Sequence, residues 1–319
     1  MSPDADSKDG EAGRGSTRGA PRRPGDRIFS GSAKTAGIGI LVLLAGVAIF
    51  LIKEAWPAIK AAPEDIPGGA GLVDFIAPLA FGTVLGAAIA ILLAVPMAVA
   101  VALFITDFAP PRIAQSLSYV IDLLAAVPSI VYGLWGIAVL GPAALGIQTW
   151  LEDKLGFLPF FVGPVSSTGR TMLVVGVVLA VMILPIITAV TREVFARTPR
   201  IHREGALALG ATRWEMIRMT VLPFGRSAVI SASMLGLGRA LGETMAVAII
   251  LSVSGVVTFN LISSTNPSTI AANIALDFPE SSGLDVNALI ASGLVLFAIT
   301  LVVNMAARAV IDRNETRSR

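Results

Sequence analysis

The stretch that decides the fold is residues 198–223, TPRIHREGALALGATRWEMIRMTVLP, which is polar and arginine-rich yet lies between two long apolar runs. It predicts two short helices joined at Gly210, a residue type that commonly ends a helix in a left-handed conformation. Thr198 is placed to cap the first helix, with Pro199 in the first helical position, where a missing N–H costs nothing.

The second helix of this hairpin has its own start and stop signals. Thr212 and Glu215 have the spacing of a capping box, in which each residue satisfies a free backbone N–H of the other. Pro223 is expected to close the helix. Such a structured hairpin between apolar segments indicates a docking surface for a partner protein.

Composition places the whole chain in a membrane. Of 319 residues, 55% are hydrophobic and 14% are charged, and the mean hydropathy is +0.79. Soluble domains carry about 25% charged residues, so this chain has too little polar material to coat a soluble surface. It has no cysteine, one histidine (His202) and no GxxxxGK[ST] sequence, so we expect no catalytic centre, metal, ATP or other cofactor on this chain.

Hydropathy divides the chain into tails and spans. Residues 1–33 are predicted to be a disordered tail because they contain almost no large apolar side chains, and residues 313–319 are predicted to be a short C-terminal tail. A membrane helix needs about 20 apolar residues. Six apolar segments are centred on residues 36–52, 75–104, 119–140, 171–190, 228–254 and 288–310.

The distribution of Lys and Arg predicts the orientation. If the N-terminus is cytoplasmic, the basic tail, the arginines of the hairpin loop and the C-terminal arginines all lie inside. The outside loops then hold only Lys53, Lys60, Lys154 and Arg170. We therefore expect both termini to be cytoplasmic in a multi-pass protein of a bacterial cell membrane.

Two outer loops contain predicted helices. Residues 148–156 alternate apolar and polar side chains like a short interfacial helix, and residues 269–276 predict another after the Asn266-Pro267 breaker. They either cap the bundle or form a landing surface for an extracytoplasmic binding protein, and the sequence leaves both open.

Three ionisable residues lie inside predicted spans, where charges are costly and usually functional. Arg239 and Glu243 are four residues apart in the fifth span and are predicted to share one helix face, with Arg239 near the middle of the bilayer. Asp122 lies in the third span, before Pro128. The set is either a structural salt bridge or a gate on an anion path.

Two short features near these charges predict close packing and a helix break. Gly238 and Gly242 have the small-xxx-small spacing that lets membrane helices approach closely. Residues 128–133, PSIVYG, break the third span and free backbone carbonyls, which is tolerated where they face protein or a water-filled path.

The hairpin resembles the EAA loop of ABC-importer permeases, the surface that grips the ATPase subunit. The matching positions are Glu204, Gly205, Ala206, Gly210, Leu222 and Pro223. Two positions depart from the pattern, because Gly205 replaces the first alanine and Thr220 stands where an aliphatic residue is usual.

Two further segments resemble the permeases of the phosphate-specific transport (Pst) system: residues 237–247, LGRALGETMAV, and residues 127–133, VPSIVYG. The ending ETMAV favours the PstC-type subunit over its PstA-type partner. The resemblance covers residues 34–312. It implies an all-α membrane protein with six spans in the type I ABC-importer permease fold, imported inorganic phosphate as cargo, and Arg239, Glu243 and Asp122 on the substrate path.

The resemblance also implies partners: a PstA-like second permease, two ATP-binding subunits that hydrolyse ATP, an extracytoplasmic phosphate-binding protein, and membrane lipid but no nucleic acid. Three alternatives remain open from sequence. The chain is a PstA-type permease, an importer permease for another oxyanion, or an ATP-independent anion transporter.

Overall fold

The computed structural model describes residues 24–251 and 254–317, and side chains over residues 29–251 and 254–309. Every regular element in these ranges is helical. Six helices are long and apolar enough to cross a membrane: Phe29–Lys60, Leu72–Phe108, Ser129–Leu155, Met172–Ala196, Arg213–Leu241 and Leu284–Ala309. The prediction of an all-α protein with six membrane spans is confirmed.

Twelve α-helices make up the described chain. They are α1 (Pro24–Lys60), α2 (Leu72–Leu103), α3 (Pro111–Ala125), α4 (Ser129–Trp135), α5 (Gly141–Leu155), α6 (Met172–Ala196), α7 (Arg200–Ala208), α8 (Arg213–Met216), α9 (Leu222–Leu241), α10 (Met245–Ile250), α11 (Ile270–Asp277) and α12 (Leu284–Arg317). A 3-10 turn covers Pro63–Asp65, and π turns cover Phe104–Phe108, Gly136–Leu140 and Ile217–Val221.

The described chain divides into two units, residues 24–49 and residues 50–251 with 254–317. The described part of the first unit is a single helix, the larger part of α1, with exposed apolar side chains. The second unit contains the remaining helices. Its hairpin end carries α7 and α8, and its loop end carries the connections at residues 156–171 and 254–283.

Helices extend into both segments that were predicted to be tails. Helix α1 begins at Pro24, so residues 24–33 of the predicted tail are helical, and residues 1–23 lie outside the described residues. Helix α12 continues to Arg317, past the predicted boundary at residue 312. Extending an existing helix costs far less than starting one, so the polar flanks continue the apolar spans.

The core of the second unit is built on α2 and α6. A stripe of alanines on α2, Ala87, Ala90, Ala94 and Ala98, is almost fully buried in the main apolar cluster. The spacing of three and four residues keeps the stripe on one helix face. Small side chains let two backbones approach closely, and that drives helix association in membranes.

The third span differs from its prediction. The apolar segment at residues 119–140 is split by Pro128, so α3 is a separate amphipathic helix and the span runs over Ser129–Leu155. The predicted interfacial helix at residues 148–156 is instead the end of that span, with Gln148 fully buried. The predicted loop helix at residues 269–276 is confirmed as α11, capped by Thr269.

The fifth span also differs, because Pro223 does not close the second hairpin helix. The helix continues through Pro223 from Arg213 to Leu241. The π turn Ile217–Val221 lies just before Pro223 and widens the helix there. In this turn, Leu222 N–H donates to the Ile217 carbonyl. That widening accommodates the proline ring, which otherwise clashes with the carbonyl four residues earlier.

Candidate functional site

The centre of the candidate path is a helix break at residues 242–244. Helix α9 ends at Leu241 and α10 begins at Met245. The buried Glu243 carboxylate accepts a hydrogen bond from Ala246 N–H at 3.1 Å and so satisfies the start of α10. The prediction that Glu243 shares one helix face with Arg239 is therefore wrong, because the helix ends at Leu241, before Gly242, and the break separates the two residues.

The other end of α10 is held by Arg170, which the sequence placed only as a loop cation. Its Nε donates to the Ile250 carbonyl at 3.2 Å, and its guanidinium also donates to the Ile249 carbonyl at 2.8 Å. A carboxylate at the start and a guanidinium at the end both complement the helix dipole. Helix α10 is thus fixed at both ends by charges from outside it.

Arg239 faces an open cavity of about 630 Å³ rather than a carboxylate. Among the described residues it is absent from every ion pair. One turn earlier, Gly236 packs against Ile183 and Ile187, which lie halfway along α6. Arg239 is therefore close to the middle of the bundle.

Asp122 has a different partner from the one considered in the sequence. Its carboxylate lies 3.6 Å from the guanidinium of Arg192, near the hairpin end of α6. The aspartate side chain is 55% exposed and the arginine side chain 22%. The pair ties α3 to α6, and Asp122 does not neutralise Arg239.

The two helix breaks meet. At the first break, residues 126–128, the Tyr132 hydroxyl donates to the Leu124 carbonyl at 2.8 Å across the interruption. Gly133, one residue further along, lies against α10, the helix that follows the second break at residues 242–244. An added Cβ at Gly133 would be 2.8 Å from the Ala246 Cα. Tyr132 and Glu243, which caps the start of α10, therefore lie at one irregular region where the two breaks are adjacent.

The predicted packing of Gly238 and Gly242 is not observed. An added Cβ at Gly238 meets no atom within 4 Å, and one at Gly242 meets only the Gly238 carbonyl oxygen, at 3.6 Å. Of the three glycines at positions 236, 238 and 242, Gly236 is the one that packs against α6, since an added Cβ there would lie 2.8 Å from the Ile187 Cδ1. Gly238 lies on the cavity side of α9.

The turn of the hairpin is a complete Schellman motif. Gly210 has φ +87°, the left-handed conformation that the sequence predicted. Ala211 N–H donates to the Ala206 carbonyl at 3.2 Å, and Gly210 N–H donates to the Leu207 carbonyl at 3.0 Å. These are the two hydrogen bonds that define the motif. The spacing of Ala206 and Gly210 is therefore that of a helix stop.

The two predicted caps have different outcomes. The capping box is confirmed, with Thr212 N–H donating to the Glu215 carboxylate at 2.8 Å and Glu215 N–H donating to the Thr212 hydroxyl at 3.3 Å. The Thr198 cap is wrong, because α7 begins at Arg200 with Pro199 in the cap position. Thr198 is buried beneath the hairpin instead.

A buried ion pair that the sequence did not reveal fixes α7 to the bundle. Arg203 donates to the Asp107 carboxylate at 2.6 Å and to the Phe195 carbonyl at 2.7 Å. The Thr106 hydroxyl donates to the same carboxylate at 2.6 Å. The Asp107 side chain is 4% exposed and that of Arg203 19%. We call Thr106, Asp107, Phe195 and Arg203 the hairpin anchor.

The outer face of the hairpin is apolar and exposed. Leu209 at the turn is 91% exposed, Ile201 75% and Trp214 57%. Glu204 and Gly205 are exposed too, whereas Ala206 and Leu222 pack partly against the cluster around Phe195. Exposed apolar patches of this kind mark protein-binding surfaces. The EAA-like residues therefore divide into an outward set and an inward set.

Comparison with known proteins agrees with this architecture. The profile of the family "binding-protein-dependent transport system inner membrane component" matches residues 94–317. The chain is 46% identical over 302 residues to "phosphate transport system permease protein PstC 2" of Mycobacterium bovis, covering 91% of this chain and 93% of that relative. It is 47% identical over 296 residues to "phosphate transport system permease protein PstC" of Mycobacterium leprae, covering 89% and 92%.

Two solved structures share the fold. A bacterial ABC transporter that imports the acidic polysaccharide alginate matches with TM-score 0.60 at 15% identity, over 90% of this chain and 96% of that one. The MetNI methionine ABC transporter matches with TM-score 0.51 at 12% identity, over 76% and 95%. The fold is that of type I ABC-importer permeases, as the resemblance implied.

Proposed function

The chain belongs to the binding-protein-dependent transport system inner membrane components and, among them, to the PstC phosphate transport permeases, and we propose that it forms half of the path of an ATP-driven inorganic phosphate importer. It is a multi-pass membrane protein. In this proposal both termini are cytoplasmic, and the hairpin lies on the cytoplasmic side.

One observation carries the mechanical part of the proposal: α8, the π turn Ile217–Val221 and α9 follow one another without a gap as one continuous helical segment that joins the hairpin to the path. It runs from Arg213 in the hairpin to Leu241, and includes Arg239. At 1.5 Å per residue, Arg213 and Arg239 are about 39 Å apart along it. A movement imposed at the hairpin therefore reaches the mid-bundle arginine and the adjacent break at residues 242–244 through one rigid element.

The chemistry of the path supports an anionic cargo. A guanidinium offers five N–H donors in a planar fork that matches the oxygens of an oxyanion. Arg239 carries this fork into an open cavity and is absent from the ion pairs found among the described residues. An anion that loses part of its hydration shell regains hydrogen bonds there.

The partners follow from the same proposal. Two ATP-binding subunits dock on the hairpins of this chain and of a PstA-like permease, and they hydrolyse the ATP. An extracytoplasmic phosphate-binding protein delivers the cargo to the loop end. This chain holds no catalytic group, metal or cofactor of its own in the proposal; it guides the anion and transmits force.

The test is uptake in a strain lacking the native permease. The full complex is expressed, and labelled phosphate is offered against sulfate and molybdate, with copurification of the ATPase measured in mild detergent. We expect phosphate uptake that requires both ATP and this chain. Uptake of another oxyanion, or transport without a bound ATPase, would replace the phosphate proposal with one of the alternatives.

A further inference from the structure

A continuous groove runs between α9 and α12 on the side of Arg239. It contains two cavities, of about 630 Å³ and 530 Å³, whose shared lining residues are Ser231, Met234 and Asn304. Arg239 and Gly238 line the first cavity, and Arg308 lines the second. Because α12 runs from the loop end to the hairpin end, Arg308 lies on the hairpin side of Asn304.

The polar groups of this groove form a row. Arg239 and Ser231 are about 12 Å apart along α9, and Asn304 and Arg308 about 6 Å apart along α12. With Ser231 and Asn304 at one level, the row is about 18 Å long and covers more than half of a hydrocarbon core of about 30 Å. It has a guanidinium at each end and a hydroxyl and an amide between them.

The charge of the lining has one sign. Among the residues whose side chains the structure describes, 29–251 and 254–309, both arginines line these cavities and no Asp or Glu does. Within the same ranges, Arg308 has no carboxylate within salt-bridge distance. A cation in this groove meets two guanidinium groups of its own sign. An anion meets the N–H donors of Arg239, Arg308 and Asn304, which replace part of its water of hydration. The Ser231 hydroxyl is not among these donors, because it donates to the Ser227 carbonyl.

A second arginine also solves a kinetic problem. A path must bind its ion well enough to admit it and weakly enough to release it, which channels achieve with several adjacent sites. With Arg239 alone, an oxyanion leaves its strongest contact for an apolar wall. With Asn304 and Arg308 within the same groove, each contact that breaks is replaced by one nearer the hairpin end.

We propose that α12 supplies the exit half of an oxyanion track, in which Asn304 and Arg308 receive the anion from Arg239. The proposal rests on the proposed anion import and adds two residues to it. Arg308 contributes a guanidinium contact, and Asn304 contributes its amide N–H donors. The helix that follows the loop end is then part of the path as well as part of the packing.

Cysteine accessibility tests the track without assuming which anion is carried. This chain has no cysteine, so Asn304→Cys and Arg308→Cys each introduce its single thiol, and labelling is measured on this chain after the labelled complex is separated into its subunits. We expect both to react faster with a negatively charged methanethiosulfonate than with a positively charged one of similar size. Ser264→Cys, at an exposed residue of the loop end outside the membrane spans, is the control without charge preference.

Transport measurements test the role of the two residues. Arg308→Gln and Asn304→Leu should lower uptake about tenfold or more, the factor that loss of a hydrogen bond to a charged group implies. Arg308→Lys should retain more uptake than Arg308→Gln. Arg112→Gln, at an exposed arginine outside both cavities, should transport like the wild type. All variants should copurify the ATPase.

The outcomes distinguish the oxyanion track from the proposed phosphate import on which it rests. If the wild type carries another oxyanion while both cysteines prefer the anionic reagent and that oxyanion slows their labelling, the track stands and the phosphate assignment falls. If the wild type imports phosphate while Arg308→Gln transports normally and the cysteines show no charge preference, the track is wrong and phosphate import stands.

Discussion

The hairpin anchor makes the sharpest prediction about coupling. Arg203→Leu leaves the buried Asp107 carboxylate without its ion-pair partner and the Phe195 carbonyl without a donor. Breaking a buried ion pair by removing one partner costs about 3–5 kcal/mol. That free energy corresponds to a factor of about 10² to 10³ or more in the equilibrium between a docked and a detached α7.

Hydrogen exchange of the amides at residues 200–223, measured on the purified complex, reports that equilibrium. We expect exchange in Arg203→Leu to rise by about a hundredfold or more, with less ATPase bound, because a detached α7 no longer presents the turn in place. Asp107→Leu should raise the hydrogen exchange of these amides less than Arg203→Leu does. Arg203 is partly exposed, can direct its charge towards water, and keeps the Phe195 carbonyl as acceptor.

Arg197→Leu is the matched control at the same end of the bundle. Arg197 pairs with Glu193, but the two side chains are 72% and 63% exposed. Exposed pairs contribute about 0–1 kcal/mol, so exchange in the hairpin should barely change. Equal exchange in Arg203→Leu and Arg197→Leu would refute the anchor. The double variant Arg203→Leu with Asp107→Leu should recover docking, because no buried charge is then left unpaired.

Three further predictions concern the turn, α10 and the topology. Gly210→Val forces a β-branched residue into the left-handed region at a cost of about 1–2 kcal/mol, so ATPase copurification should fall about tenfold, whereas Gly205→Ala, in open helical space, should leave it unchanged. Arg170→Leu removes both donors from the end of α10 and should lower uptake with normal assembly; normal uptake would contradict a role for a fixed α10. A reporter active only in the cytoplasm should be active when fused after Arg313 and inactive at Pro267; the opposite pattern at either site overturns the predicted orientation.

Features whose cause is local were predictable from sequence. The Thr212 capping box and the Gly210 turn depend on residues within five positions, and both have the expected geometry. The six spans follow from hydropathy alone, except for the bounds of the third span, where Pro128 divides one apolar run and leaves open which part crosses the membrane. At Pro128, α3 is only half apolar and ends before the span begins.

Features that depend on distant residues were not predictable. The hairpin anchor joins Arg203 to Asp107, 96 residues away, and nothing in either flanking sequence indicates the pairing. The contact of Arg170 with the end of α10 crosses about 80 residues. A regular helix over Arg239 and Glu243 was the natural inference from their spacing, but it omitted the break that Gly242 permits.

That break changes what a double variant of Arg239 and Glu243 is expected to show. If the two residues formed an ion pair, Arg239→Gln and Glu243→Gln would be coupled by more than about 0.5 kcal/mol in a double-mutant cycle. Glu243 instead binds the start of α10, so its loss should cost up to about 2 kcal/mol through the helix dipole, as for partly buried groups, independently of Arg239. We therefore expect additive changes in the stability of the complex, measured by denaturation, and loss of uptake from Arg239→Gln alone. A coupling well above the additive limit would show that Arg239 is neutralised by Glu243 in the working transporter. The arginine would then be a structural partner, and an anion path through it would lose its main support.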